Sequence, residues 1–168
     1  HMEKEGKRLS TLERMVVGGS ACPRAMIVAF EAMGIDVFHA WGMTEMSPVG
    51  SFGAIKAQVG ELDKEALIDL KAKQGYALFG VEMKIVDDTG KRLPWDGKTF
   101  GRLMVSGFAV TKAYYSLEDQ TILDAEGFFD TGDVATIDKD GYMQITRSEE
   151  HTSELQSHHD LVCRLLLE

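Results

Sequence analysis

An α/β sheet portion followed by a small antiparallel, barrel-like β portion is what this sequence predicts, and three observations carry that expectation. Strand, helix, strand and glycine turn follow one another within residues 1–54. After Gly75 the texture changes to short strands divided by Asp/Gly turns. The composition, 44% apolar and 27% charged over 168 residues, is that of a globular chain and not of a disordered or fibrous one. The expected divisions are a partial α/β subdomain over 1–54, a connecting helix and loop over 55–75, an antiparallel β subdomain over 76–146 and a tail over 147–168.

Each element has its own sequence reason. Met15-Val16-Val17 is a short apolar run ending in Gly18-Gly19-Ser20, the pattern of a buried strand that delivers the chain into a glycine turn. Pro23 sits where the first turn of a helix accepts it, and Met26, Ile27, Ala29, Phe30 and Met33 follow on a helical period until Gly34. Ile35 to Trp41 reads as a second strand running into Gly42-Met43-Thr44-Glu45. Glu61 to Lys73 reads as a surface helix with Leu62, Ala66, Leu67 and Leu70 on one side. Val81 to Val86, Gly101 to Ser106 and Tyr142 to Thr146 read as strands, with turns at Asp87-Asp88-Thr89-Gly90 and Asp138-Lys139-Asp140-Gly141. Phe129-Asp130-Thr131-Gly132-Asp133 reads as a turn bearing carboxylates.

Charge and hydropathy exclude several partners. With 18 Lys and Arg against 27 Asp and Glu, the net charge is −9, and no segment is basic. Binding to nucleic acid or to an anionic membrane surface needs clustered cations, so neither is expected. No run approaches the roughly 18 apolar residues of a membrane span, and residues 1–9 hold no secretory apolar region, which points to the cytoplasm. Cys22 and Cys163 stand far apart with no metal-ligand spacing around them, so neither a disulfide framework nor a zinc site is expected. A small molecule or a protein is left as partner.

Three motifs carry chemistry. Ala40-Trp41-Gly42-Met43-Thr44-Glu45 follows a strand: a glycine lets the backbone approach a ligand, a hydroxyl can donate to a phosphate oxygen, a carboxylate can hold Mg²⁺ and an aromatic ring offers a flat face. Read alone, it is equally a strand-to-loop turn with Thr44 as a helix cap. In Phe129-Asp130-Thr131-Gly132-Asp133 a carboxylate can accept two hydrogen bonds from vicinal hydroxyls, or simply close an Asx turn. Gly18-Gly19-Ser20-Ala21-Cys22-Pro23 leaves room for a flat ring against the backbone, or is only a turn before a helix. His39, alone at a strand end, reads first as a structural histidine and only second as a catalytic one. Cys22 reads as a small buried residue, and Met46 and Trp95 read as packing.

Taken in order, these motifs resemble the adenylate-forming superfamily of acyl-CoA synthetases, nonribosomal adenylation domains and luciferases, over almost all of residues 3–146. In that family a GG-x-x-P turn, an aromatic-G-x-T-E turn and a later TGD segment line one nucleotide site. Gly101-Arg102-Leu103-Met104-Val105-Ser106-Gly107 is similar to a further family strand between them. Trp41-Gly42-Met43-Thr44-Glu45-Met46-Ser47-Pro48 looks most like medium- and long-chain fatty acyl-CoA ligases, including the related methylthiopropionate-CoA ligases. The resemblance implies that the chain is part of a larger N-terminal domain, and that the subdomain over 1–54 takes part in binding ATP or AMP. It implies that Gly19, Ser20 and Ala21 lie along the adenine, that His39 and Ala40 meet its edge, and that Trp41 holds the stacking position usually given to Tyr. Thr44 would contact the α-phosphate, Glu45 would coordinate Mg²⁺ and Asp133 would hold the ribose hydroxyls. Gly42 and Met43 would border the acyl carboxylate, with Val49 and Phe52 hinting at an apolar tail. The implied substrates are a fatty acid, ATP and coenzyme A. Thr44 and Glu45 would be the catalytic pair.

The family pattern is not met throughout. Its Lys-bearing phosphate loop has no counterpart upstream of Gly18, its Asp-Arg hinge is not matched after Thr146, and no lid with a catalytic Lys follows. Residues 147–168 resemble an in-frame translation of an adapter oligonucleotide, so His151, His158 and His159 are not read as metal ligands; the alternative is a natural polar tail ending in a short helix from His159 to Leu167. The expectation is a fragment of an acyl-CoA ligase that is inactive alone. A non-catalytic nucleotide-binding module and an inert structural fragment are the alternatives.

Overall fold

A computed structural model describes residues 11–115 and 121–148. The tail over 149–168, with its histidines, Cys163 and the helix expected from His159, lies outside the described residues. The expected fold class is the one found: a four-stranded mixed sheet followed by a four-stranded antiparallel sheet.

The first sheet begins as a β-α-β unit. Strand β1 (Arg14–Val17) pairs in parallel with β2 (Asp36–Gly42), and helix α1 (Arg24–Ala32) makes the crossover. Pro23 precedes the first helical residue, and its carbonyl accepts from the N–H groups of Met26 and Ile27. The helix stops at Gly34, whose φ of +81° a side-chain-bearing residue adopts only with strain. There Gly34 N–H bonds to Glu31 O (2.9 Å) and Ile35 N–H to Phe30 O (3.0 Å), which satisfies two carbonyls of the last turn. Ile27 is fully buried against Cys22 and Val37, while Met26, Val28 and Met33 remain exposed. Burial pushes the Cys22 thiol up, which disfavours the reactive thiolate.

Two further strands extend this sheet, β3 (Val49–Phe52) antiparallel to β2 and β4 (Tyr76–Ala77) antiparallel to β3, and both escape the sequence reading. Helix α2 spans Lys64–Ala72 and is capped by the Asp63 side chain, which accepts from Ala66 N–H at 2.9 Å. The helix is therefore shorter than Glu61–Lys73, Leu62 falls before it, and its buried residues are Ile68 and Lys71. Lys71 Nζ meets Glu31 Oε1 of α1 and Asp36 Oδ1 of β2, both at 2.5 Å. Burial opposes its charge, but the bonds to Asp36 and Glu31 outweigh that and raise its pKa.

The second sheet is a meander of β5 (Val81–Val86), β6 (Phe100–Gly107), β7 (Phe129–Ile137) and β8 (Met143–Ser148). The two Asp/Gly turns use one device. Asp87 Oδ1 accepts from Thr89 and Lys91 N–H, and Asp138 Oδ1 from Asp140 and Tyr142 N–H, while Gly90 and Gly141 take positive φ. Phe129 to Asp133 is not a turn; it is the first half of β7. Of the two residues read as packing, Met46 is buried, whereas Trp95 is 43% exposed.

Alternation along β5 sends Met83 and Ile85 into the main core and Lys84 and Val86 to the opposite face, where Phe128 covers them. Lys84 Nζ is buried beneath that ring and meets Asp124 Oδ2 at 2.7 Å and Glu126 Oε1 at 3.3 Å. Burial pushes the Asp124 carboxyl up, but the bonds from Lys84 and from the N–H groups of Phe128 and Glu126 prevail and hold it below its ordinary value. Among the described residues no helix is long and apolar enough to cross a membrane.

These groups set a stability prediction. Because the Asp124 carboxyl is depressed in the folded state, its contribution is present above the ordinary carboxylate range, near pH 4, and is lost as pH falls below it. Lys84→Met should lower stability by about 2 kcal/mol at pH 7 and flatten its decline in acid, since Asp124 and Glu126 are partly exposed and can regain water. Urea titrations of both proteins between pH 7 and pH 3 check this; an unchanged acid slope contradicts it.

Candidate functional site

The Thr-Gly-Asp segment is built as a β-bulge. Opposite β6, Arg102 pairs with Val134 and Met104 with Asp130, so Thr131, Gly132 and Asp133 together face Leu103. Each residue type meets a need of that geometry. Thr131 Oγ1 donates to the Leu103 carbonyl at 2.9 Å and accepts from Asp133 N–H at 3.1 Å, replacing ladder bonds that the bulge interrupts. Gly132 takes φ +73°, and its N–H bonds to Asp130 Oδ1 at 3.1 Å. Asp130 also pairs with Arg102 of β6. The outcome is a fixed loop within a strand that carries the half-buried Asp133.

Trp41, at the end of β2, reaches this bulge. Its Nε1 donates to Asp133 Oδ2 at 2.9 Å, across 92 positions of sequence. The indole is 9% exposed and joins Met46 in the core of the second sheet, with Met83, Leu103 and Phe129. Gly50 of β3 leaves room for it: a Cβ there would lie 2.7 Å from Trp41 Cζ3 and 2.6 Å from Met46 Cε. The next residue, Gly42, is crossed by the returning chain, since a Cβ on it would stand 1.9 Å from the Pro48 carbonyl oxygen.

Beyond Gly42 and the half-buried Met43, a 3₁₀ turn holds Thr44–Met46. Met43, not Thr44, occupies the cap position, and no side chain bonds there. Thr44 is exposed and Glu45 half-buried. Thr111 N–H fixes the Glu45 carbonyl at 2.8 Å, and Tyr114 Oη donates to Glu45 Oε1 at 3.0 Å. Burial, and then the adjoining Glu45 carboxylate, push the Tyr114 hydroxyl pKa up, so it remains a donor.

The glycine turn after β1 sits beside the same strand, because Val17 pairs with His39. Gly19 takes φ +73°, and Gly19, Ser20 and Ala21 are exposed. Ala40 and His39 are buried. His39 Nδ1 lies 2.9 Å from the Ala72 carbonyl and Nε2 lies 3.2 Å from the Ser20 carbonyl. Both ring nitrogens thus face backbone acceptors; a neutral imidazole donates to one of them, and an imidazolium to both.

Direct contacts therefore link Ser20 to His39 and Trp41 to Asp133, with Ala40 between His39 and Trp41 on one strand. Glu45 is held separately by Thr111 and Tyr114, which sequence reasoning missed because nothing local marks them. The indole N–H of Trp41 was missed too, although a buried tryptophan N–H calls for an acceptor. Among the described residues no group of three or more His, Cys, Asp or Glu side chains could hold a metal ion. The donor set at Glu45, a single carboxylate, fits a Mg²⁺ whose other ligands are water and phosphate oxygens, and not an all-protein cage.

Residues 1–115 match the family model described as AMP-binding enzyme. The 3-methylmercaptopropionyl-CoA ligase of Ruegeria lacuscaerulensis is 51% identical over 146 residues, 86% of this chain and 27% of that protein. The medium-chain-fatty-acid–CoA ligase of Ectopseudomonas oleovorans is 47% identical over 141 residues, 83% of this chain and 26% of the relative. Among solved structures, the O-succinylbenzoate coenzyme A synthetase of Bacillus subtilis, in complex with AMP, superposes with a TM-score of 0.68 at 23% identity, over 88% of this chain and 28% of that one. The chain thus spans about a quarter of the length of the curated relatives it matches.

The bulge gives a direct prediction. Thr131→Val keeps the shape and removes the hydroxyl, leaving the Leu103 carbonyl and the Asp133 N–H without their partner. Chemical denaturation should show a loss of about 2 kcal/mol; a variant as stable as the parent would mean that these bonds do not hold the bulge.

Proposed function

From a chain that belongs to the AMP-binding enzyme family, we propose that this protein is the nucleotide-recognising part of an ATP-dependent ligase for medium- or long-chain fatty acids. The carrying observation is the hydrogen bond from Trp41 to Asp133, which ties the aromatic-G-x-T-E turn to the Thr-Gly-Asp bulge. The relatives named above are acyl-CoA ligases, which supports an acid-thiol ligation. In it, a carboxylate oxygen attacks the α-phosphorus of ATP, the bond to the β-phosphate oxygen breaks and pyrophosphate leaves. The thiolate of coenzyme A then attacks the acyl carbon of the acyl-adenylate and AMP leaves.

Each residue has a role in this proposal. Gly19, Ser20 and Ala21 form an exposed backbone edge for the adenine, with His39 and Ala40 behind it. Trp41 walls the site, and Asp133 accepts from the ribose hydroxyls. Thr44, exposed on its 3₁₀ turn, donates to an α-phosphate oxygen, while Gly42 and Met43 border the acyl carboxylate. Glu45 holds Mg²⁺, which when bound neutralises charge on the phosphate oxygens. Before the ion arrives, the Tyr114 hydroxyl keeps the Glu45 carboxylate in place.

None of these residues is cationic, and Glu45 and Asp133 are both anionic. Negative charge developing on a transferring phosphate needs positive donors, each worth about 10² to 10³ in rate. We therefore assign to this chain nucleotide recognition and not turnover.

Calorimetric titration with AMP, and with ATP in the presence and absence of Mg²⁺, tests the proposal. Asp133→Ala should weaken AMP binding about 10-fold. Glu45→Gln should abolish the gain that Mg²⁺ brings to ATP while leaving AMP binding within about 2-fold. The absence of any AMP binding by the parent chain, or AMP binding indifferent to Asp133→Ala, would refute it.

A further inference from the structure

Asp133 is held by a partner of an unusual kind for its place. A carboxylate has two oxygens and roughly four sites for hydrogen bonds. Oδ2 takes the indole N–H of Trp41 at 2.9 Å, and among the described residues no other side chain donates to this carboxylate. Among the described residues no donor reaches Oδ1.

The indole is a one-way clamp. It carries a single donor and no acceptor, so neither tautomerism nor rotation of a hydroxyl can reverse the bond. It is also fixed in place: Trp41 is buried among Met46, Met83 and Phe129, and a Cβ at Gly50 on the strand beside it would stand 2.7 Å from its ring. The backbone of Asp133 is fixed independently, by Thr131 Oγ1 at its N–H. With the backbone and one oxygen fixed from two sides, the direction of the second oxygen is determined.

We propose that Trp41 is the positioning residue for Asp133: its N–H sets the rotamer of the carboxylate so that Oδ1 accepts from the vicinal hydroxyls of a nucleotide ribose. This rests on the nucleotide-binding function proposed above. It gives the tryptophan a task that ring stacking does not supply and that phenylalanine, equally aromatic, cannot perform. The selectivity it confers is for a ribonucleotide over one that lacks the hydroxyls.

The test is calorimetric titration of the full chain with AMP and with 2′,3′-dideoxy-AMP, for the parent, Trp41→Phe and Asp133→Asn. The parent should favour AMP by about 10-fold or more. In Trp41→Phe that preference, read as the ratio of the two affinities, should fall to about 2-fold. Asp133→Asn should lose the preference as well. A preference that survives in Trp41→Phe overturns the positioning role while leaving the nucleotide site standing; a parent that binds neither nucleotide overturns both. Should Trp41→Phe not fold, the indole proton resonance of the parent reads the same point. It should shift with saturating AMP and much less with saturating dideoxy nucleotide, and equal shifts would overturn the proposal.

Discussion

Trp41 occupies two environments at once, and the rest of the structure depends on that. Its ring belongs to the core of the antiparallel sheet, although its backbone belongs to the mixed sheet, and its one polar atom is paired with a carboxylate from the antiparallel sheet. Burying a large aromatic across the boundary supplies the apolar attraction that joins the two layers. The hydrogen bond then fixes how far one layer can slide on the other. Met46 repeats the apolar half of this arrangement five residues later. The loop between them, with Thr44 and Glu45, is thereby anchored at both ends, while Thr111 and Tyr114 hold its middle.

Small residues make that anchoring possible. Gly42 admits the carbonyl of Pro48, and Gly50 admits the indole and the Met46 thioether. Gly132 allows the bulge to turn. In each case the glycine answers a close approach by a neighbouring segment or an unusual backbone angle, and a larger residue would displace the groups that meet there.

How much of this could be read from the sequence follows the range of the forces involved. Strand β5 was legible over Val81–Val86 because its bounds are turn residues and its alternation is local. Strand β1, helix α1 and strand β2 were legible to within a residue or two, since Pro23 and Gly34 punctuate them. Strand β3 was not, because Val-Gly-Ser-Phe carries small residues that serve Trp41 and Met46 and has no apolar alternation of its own. The buried face of α2 was misjudged at Lys71, a charge that only two acids from other elements make tolerable inside. The Thr-Gly-Asp segment read as a turn because its residues are turn formers; that it interrupts a long strand depends on the register of β6, which no local pattern reveals. The motifs that point to the site were visible because close backbone approach and hydrogen bonding restrict residue choice. The partners that hold them, Tyr114 on Glu45 and the indole on Asp133, were not, for they are made by the fold.

The bulge in β7 also fixes an arithmetic of parity. Three residues stand where the facing strand has one, so the excess is two, and an even excess leaves the in-and-out phase of a strand unaltered. Phe129 before it and Ala135 and Ile137 after it consequently turn toward one interior. An insertion or deletion of a single residue in this segment would rotate half the strand inside out, whereas a change of two would only lengthen or erase the protrusion. Drift in this part of the chain is thus quantised in pairs: a descendant that discarded Asp133 and its loop would keep Phe129, Ala135 and Ile137 facing inward but would leave the indole N–H of Trp41 without its acceptor.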